Sequence, residues 1–173
     1  MGTAAAILPE MEPVIFRSAR PEDAGPLVAL LIHGALVAGK EDPDHPERYE
    51  AALAAIQSTP GNDVLVAELD GVVVGMCQLV MFRHLQGGGG LCAEIESMHV
   101  HPDIRSRGIG GQLVAAAVAA ARRAGCYRIQ LTSNAARTDA HRFYVRHGFE
   151  SSHVGFKRLL APGGADNPSE RTH

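Results

Sequence analysis

The stretch Arg105-Ser106-Arg107-Gly108-Ile109-Gly110-Gly111 stands between a strand-like run ending near Val100 and an alanine-rich helical pattern reaching about Ala124. Glycines at three of its last four positions let a backbone pass close to another group, and two nearby arginines add positive charge. The first turn of a helix leaves its N–H groups without intrahelical acceptors and carries roughly half a positive charge. A glycine-rich turn entering a helix therefore suits a phosphate-bearing ligand. Locally the same residues also describe a flexible turn with solvated arginines, so the rest of the chain must decide.

With 173 residues, 46% of them hydrophobic and 20% charged, the chain suits one domain with a sizeable core. A net charge of −3 gives no general attraction to nucleic acid, so a small-molecule partner is expected and nucleic acid is not. Cys77, Cys92 and Cys126 lack Cys-x-x-Cys spacing, which argues against a disulfide framework or a thiolate zinc site. The opening residues lack a basic n-region and a signal-length apolar run, and nowhere do roughly 18 apolar residues run together. The expectation is a soluble cytoplasmic protein with no membrane partner. A single domain over residues 12–160 is expected between a flexible N-terminus, 1–11, and a flexible C-terminal tail, 161–173.

Alternation predicts a strand over Val14–Ala19, and Pro21-Glu22-Asp23 suits the first turn of a helix reaching about Ala38, with Leu27, Leu30, Leu31 and Val37 on its apolar face. A second helix is predicted from Pro46 to Gln57. Two strands, Val64–Leu69 and Val72–Phe82, flank Asp70-Gly71, a strong hairpin signal. Gly87 to Gly90 read as a mobile connection to the strand Cys92–His101 and not as a ligand cradle, since no helix follows them. After the alanine-rich helix come a strand near Tyr127–Leu131, a helix with Ala140, Phe143, Tyr144 and His147 on one face, and a last strand or strand pair over Ser152–Leu160. Gly148 can take the left-handed position past that last helix, with Phe149 packing back. The fold class is α/β (α+β): a mixed, mostly antiparallel sheet of six to seven strands flanked by about four helices.

A Walker loop needs a lysine after its last glycine, and none is present. A Rossmann fingerprint fails because Leu113 stands where its third glycine belongs and the strand after the helix lacks the ribose-binding acid. Arg105 to Gly110 instead match the Gln/Arg-x-x-Gly-x-Gly/Ala signature of the GNAT superfamily of N-acetyltransferases. Three further features agree: the strand Ile95–Val100 followed by Pro102, the strand after the helix, and Phe143-Tyr144-Val145-Arg146-His147-Gly148-Phe149, which resembles the family's Phe/Leu-Tyr-x-x-x-Gly-Phe. The resemblance spans roughly Val14 to Leu160.

The resemblance implies acetyl-CoA as cosubstrate, its pantetheine arm along Met98, His99 and Val100 and its pyrophosphate on the amides of Arg107, Gly108, Ile109, Gly110 and Gly111. The side chains of Arg105 and Arg107 would help, with Ser106 in the same loop, and Ser133, Asn134 and Phe143 would add cofactor contacts. An attacking amine must be neutral, and a carboxylate that removes its proton would help. Glu94 and Glu96 are the candidates, and strict alternation would put both on one face together with Met98. Glu96 resembles the acid of the Ile-Glu-Asp strand in glucosamine-6-phosphate N-acetyltransferases, while Glu94 falls where histone acetyltransferases carry their base; Glu96 is preferred. Tyr144 is the family's proton donor to the departing thiolate.

The family often has asparagine seven residues before that tyrosine, and here Arg137 stands there, available instead for a substrate carboxylate or phosphate. Glu96 would also bind substrate. Scattered histidines, including His99 and His101, complete no ligand set, so no metal is expected. The function expected is an acyltransferase that acetylates a primary amine of a small molecule by direct transfer in a ternary complex. The alternatives are an amino-sugar phosphate as acceptor, since Gly125-Cys126-Tyr127-Arg128-Ile129 also resembles the glucosamine-6-phosphate enzymes, or a non-catalytic acetyl-CoA-binding sensor. Homodimers are common in such folds.

Overall fold

The computed structural model describes residues 13–158 and 160, so the expected flexible ends, 1–11 and 161–173, lie outside the described residues. The chain falls into two compact units, one up to Thr132 and one from Ser133 onward. In the first, β1 (Ile15–Ser18) leads through a 3-10 turn (Pro21–Asp23) into α1 (Ala24–Gly34) and α2 (Pro46–Ser58), followed by β2 (Asp63–Leu69) and β3 (Val72–Arg83). A short helical segment α3 (Gln86–Gly89), β4 (Leu91–Val100), a second 3-10 turn (Pro102–Ile104), α4 (Ile109–Arg123) and β5 (Arg128–Leu131) complete it. The second unit contains α5 (Thr138–Arg146).

The strands form one sheet in the order β1-β2-β3-β4-β5, antiparallel except for the parallel β4–β5 pair. Mixed pairing and helical cover agree with the predicted class, but the described residues form five strands and not six or seven. The missing strand is the one expected over Ser152–Leu160. There residues 151–158 are irregular, with Val154 79% and Phe156 96% exposed. A strand is held by its ladder partner and a buried face, and alternation in sequence supplies neither.

The two faces of the sheet carry different layers. Val64, Val66 and Met76 pack with Leu27 and Leu30 of α1 and Leu53 of α2, whereas Ala67, Leu69 and Val74 pack with Ile109 of α4. The buried face of α4 carries Leu113, Val114, Ala117 and Ala121. The Asp-Gly hairpin forms as predicted, with Asp70 at φ 52° and Gly71 at φ 75° between paired Leu69 and Val72. Near the start of the sheet Arg17 grips Asp23 through both terminal nitrogens, at 2.6 and 3.0 Å, and reaches Glu68 at 2.6 Å.

Helix α1 stops four residues earlier than predicted. Its last residue, Gly34, is buried with the His99 ring directly against it, and Ala35 turns to extended backbone. Val37, expected on the apolar face, is therefore exposed. No helix among the described residues is long and apolar enough to cross a membrane.

Candidate functional site

β4 is the spine of the site. Its parallel ladder with β5 pairs Cys92 with Arg128, Ala93 with Ile129, Glu94 with Gln130 and Ile95 with Leu131, and ends there, while β4 continues to Val100. The sheet thus opens along the last five residues of β4.

That segment also carries a bulge. Glu96 pairs with Gln78 and His99 with Met76, so two residues of β4, Ser97 and Met98, lie opposite Cys77 alone. Ser97 takes φ 48°, a left-handed conformation uncommon for a residue with a side chain and concentrated at functional sites. The extra residue shifts the pleat by one. Residues directly opposed across an antiparallel pair point the same way, so Glu94, Glu96 and His99 share the face of Val80, Gln78 and Met76. Strict alternation had put Met98 there; the bulge moves it off this face, and His99 takes its place.

On this face Glu94 is half-buried and its Oε2 accepts a hydrogen bond from Nε2 of Gln130 at 3.1 Å. Glu96 is exposed one pleat further on, at the mouth of the opening. The structure thus brings the two predicted carboxylates to one face but gives them different surroundings.

The glycine-rich stretch follows directly. His101 donates its backbone N–H to Val74 at 2.9 Å, and Nε of Arg105 returns to the Val100 carbonyl at 3.1 Å, tying the loop to the end of β4. Ser106 (φ 66°) and Gly108 (φ 80°) are left-handed, and Ile109, almost fully buried, anchors the first turn of α4. Gly108 caps that helix without a side-chain hydrogen bond, so the leading amides of Ile109, Gly110 and Gly111 have no side-chain cap. The turn itself is uncrowded: within 4 Å a β-carbon on Gly108 would meet only Nε2 of Gln112, at 3.9 Å. Arg105, Ser106 and Arg107 are exposed around it. Alternating left-handed turns, leading helical amides and two guanidinium groups form a cradle suited to a pyrophosphate.

Within the second unit, α5 places its aromatic residues as predicted. The Phe143 ring lies 5.1 Å from Tyr144 and 4.3 Å from His147, and Phe149 folds back to 5.8 Å from Tyr144. Gly148, at φ 85°, makes that reversal, and the Phe149 N–H donates to the Tyr144 carbonyl at 3.1 Å. Asn134 shapes its own turn: its side chain accepts from Ala136 N–H at 2.9 Å and its carbonyl from Arg137 N–H at 2.9 Å. Arg137 is half-buried at the start of α5 and Ser133 half-buried before it.

The sequence reading missed the polar pairs between β5 and its neighbours. Gln130 holds Glu94, and Nη2 of Arg128 meets Nε2 of His84 at 3.0 Å. The available signal was a glutamine and an arginine at alternate positions of a short strand, and the pairing register gives it meaning. Cys77 and Cys92 are buried and Cys126 half-buried, all free; burial pushes the Cys77 thiol up to about 12, away from thiolate chemistry. No group of three or more His, Cys, Asp or Glu among the described residues could hold a metal ion.

The family model for the GNAT acetyltransferases matches residues 29–149. An aminoalkylphosphonate N-acetyltransferase from Salmonella typhimurium is 38% identical over 114 residues, covering 66% of this chain and 73% of that protein. A crystal structure of a transcriptional regulator from Bacillus halodurans superposes with a TM-score of 0.81 at 35% identity, over 86% of this chain and 100% of that one. Glucosamine-6-phosphate N-acetyltransferase from Arabidopsis thaliana shares the fold, with a TM-score of 0.72 at 16% identity over 87% of this chain and 100% of that one. With the bulged fourth strand, the opening beside β5 and the left-handed turn into α4, these relationships settle the family: the chain belongs to the GNAT N-acetyltransferases and is an acyltransferase.

Proposed function

We propose that the chain transfers the acetyl group of acetyl-CoA directly, within a ternary complex, to the primary amine of a small molecule that also carries an acidic group. An aminoalkylphosphonate is the favoured class, supported by the activity named for the Salmonella relative. The observation that carries the acetyl-CoA reading is the Ser106–Gly108 turn. It leads with two left-handed residues into an α4 N-terminus that has no side-chain cap, after a β4 segment that runs beyond its ladder with β5.

Acetyl-CoA supplies an acyl group activated as a thioester. Backbone groups of Met98, His99 and Val100 bind its pantetheine arm as a neighbouring strand would, and the loop from Arg105 to Gly111 holds the pyrophosphate. Ser133, Asn134 and Phe143 add contacts carried over from the family motifs. A backbone N–H at the bulge, near Met98 or His99, donates to the carbonyl oxygen as negative charge develops there.

Glu96 takes a proton from the substrate ammonium, directly or through water, and the free nitrogen lone pair forms the new N–C bond. The C–S bond breaks, its electrons remain on sulfur, the phenol of Tyr144 donates a proton to that sulfur, and the extra proton on the new amide nitrogen passes through water to restore the phenol. Glu94 is anchored by Gln130 and serves as an orienting negative charge. Arg137 is a further contact for the substrate acid. The three free thiols suit a reducing cytoplasm.

The experiment is to mix the protein and acetyl-CoA with aminoalkylphosphonates, amino-sugar phosphates and plain alkylamines, following thiol release and product mass. The expected result is thiol release with a matching acetylated aminoalkylphosphonate. Tight acetyl-CoA binding with no amine exceeding hydrolysis would instead favour a sensor.

A further inference from the structure

Arg128 opens β5 and shares the face of Glu94 and Glu96, because it pairs with Cys92 two residues before Glu94 pairs with Gln130. Arginine stays protonated, so its Nη2, 3.0 Å from Nε2 of His84, is the donor, and His84 accepts as a neutral imidazole. The Tyr127 ring centroid lies 5.5 Å from the guanidinium carbon. Nε of Arg128 is buried with no hydrogen-bond partner. Among the described residues no ion pair includes Arg128, and its guanidinium meets the His84 imidazole and the face of the Tyr127 ring. A half-buried guanidinium is costly without an anion, and this one has a donor to spare.

The surroundings are built to keep His84 there. Its backbone N–H donates to Gly90 at 2.9 Å, its ring lies 5.2 Å from Phe82, and the neighbouring Arg83 bonds the Gly89 carbonyl at 2.9 Å. A β-carbon at Gly90 would approach the Tyr127 ring to 2.8 Å, so glycine is required where the loop crosses the start of β5. The glycine run, read from sequence as a bare connection, thus folds His84 onto Arg128.

Along this face the charges run in order: the Arg128 guanidinium, then Glu94, then Glu96, with successive positions about 6.6 Å apart along the strands. That sequence of charge complements a short zwitterion with an anion at one end and an ammonium at the other. We infer that Arg128, backed by His84, is the subsite for the phosphonate of the amine substrate, its ammonium directed toward Glu94 and Glu96. This rests on the proposed acid-bearing substrate and adds the residues that select it. A tetrahedral phosphonate suits the site because a guanidinium fork can bond two of its oxygens at once.

The test uses the full chain and two independent readouts. Calorimetry with methylphosphonate, which carries no amine, reads the subsite without turnover; wild type should bind it, and Arg128→Gln should weaken binding about ten- to hundredfold. Kinetics with an aminoalkylphosphonate, the amino carboxylic acid of equal length and the plain alkylamine should show a phosphonate preference that falls by a similar factor in Arg128→Gln. Should that variant fail to fold, Arg128→Lys keeps the charge without the fork and should still cut the phosphonate-to-alkylamine ratio severalfold. Methylphosphonate binding unaffected by either variant, or equal losses on all three amines, overturns the assignment. Wild type that binds methylphosphonate through Arg128 yet acetylates no acid-bearing amine would sink the proposed function while leaving the anion subsite standing.

Discussion

The imidazole of His99 occupies the space that a side chain at position 34 would need, so Gly34 at the end of α1 and His99 after the β4 bulge are fitted to one another. Helix propensity alone favours alanine over glycine by about 1 kcal/mol. Here the sign should reverse: Gly34→Ala is expected to lose about 1–3 kcal/mol in urea unfolding through overpacking. The same substitution in a His99→Ala background should cost less. Additive losses would break the link between the two residues.

At Gly108 the expected penalty has another origin. A β-carbon there meets no backbone, but φ 80° is left-handed, so Gly108→Ala should cost about 1–2 kcal/mol of local strain and disturb the amides that follow. If these amides hold the pyrophosphate, the KM for acetyl-CoA rises about tenfold while kcat changes little. A fall in kcat at unchanged KM would place the loop's role elsewhere.

The two carboxylates of β4 can be separated by rate and by pH. Glu96→Gln should lower kcat/KM about 10²–10⁴-fold and abolish the acidic limb of its pH profile. Glu94→Gln, whose side chain can still meet Gln130, should retain that limb with a smaller loss. The reverse pattern would make Glu94 the base.

Much of this site was legible because its signals are local. Asp70-Gly71, Gly108 and Gly148 each demand a left-handed backbone that few other residues accept, and each adopts it. The apolar periods of α1, α4 and the strands likewise follow from neighbours a few residues away. The bulge at Ser97 was not legible, since serine carries no left-handed signal and the extra residue is defined only by its pairing with Cys77 on β3. Strict alternation therefore assigned Met98 to a face that His99 occupies. The Arg128–His84 contact joins residues 44 apart and depends on register, and residues 151–158 are irregular where alternation alone suggested a last strand.

The Tyr144 ring packs against Phe143 and Phe149 in the second unit, ring contacts that phenylalanine would keep. Tyr144→Phe should therefore keep the fold and the acetyl-CoA affinity while turnover drops about 10²-fold, the scale of one general acid. Unchanged turnover would remove Tyr144 from the proton path, and loss of acetyl-CoA binding would make it a cofactor contact.

The Arg17–Asp23–Glu68 cluster predicts how stability responds to acid. The Arg17 guanidinium holds the Asp23 carboxyl below the ordinary carboxylate range, helped by the Arg20 backbone N–H at 2.7 Å, and Asp23 in turn raises Arg17 further. A carboxyl with a depressed folded pKa binds its proton more readily when unfolded. Its stabilisation is therefore fully present above the unfolded value near 3.9 and drains away as pH falls through the lower folded value. Asp23→Asn, which leaves the half-buried arginine short of one counter-charge, should cost about 3 kcal/mol at pH 7. Glu68 remains to hold Arg17, so the fold should survive. Urea unfolding of both proteins across the acid range should show the difference narrowing below about pH 4, as wild type acquires the proton that the variant never needed. A difference that stayed constant down to pH 2 would mean that Asp23 acts by hydrogen-bond geometry and not by charge.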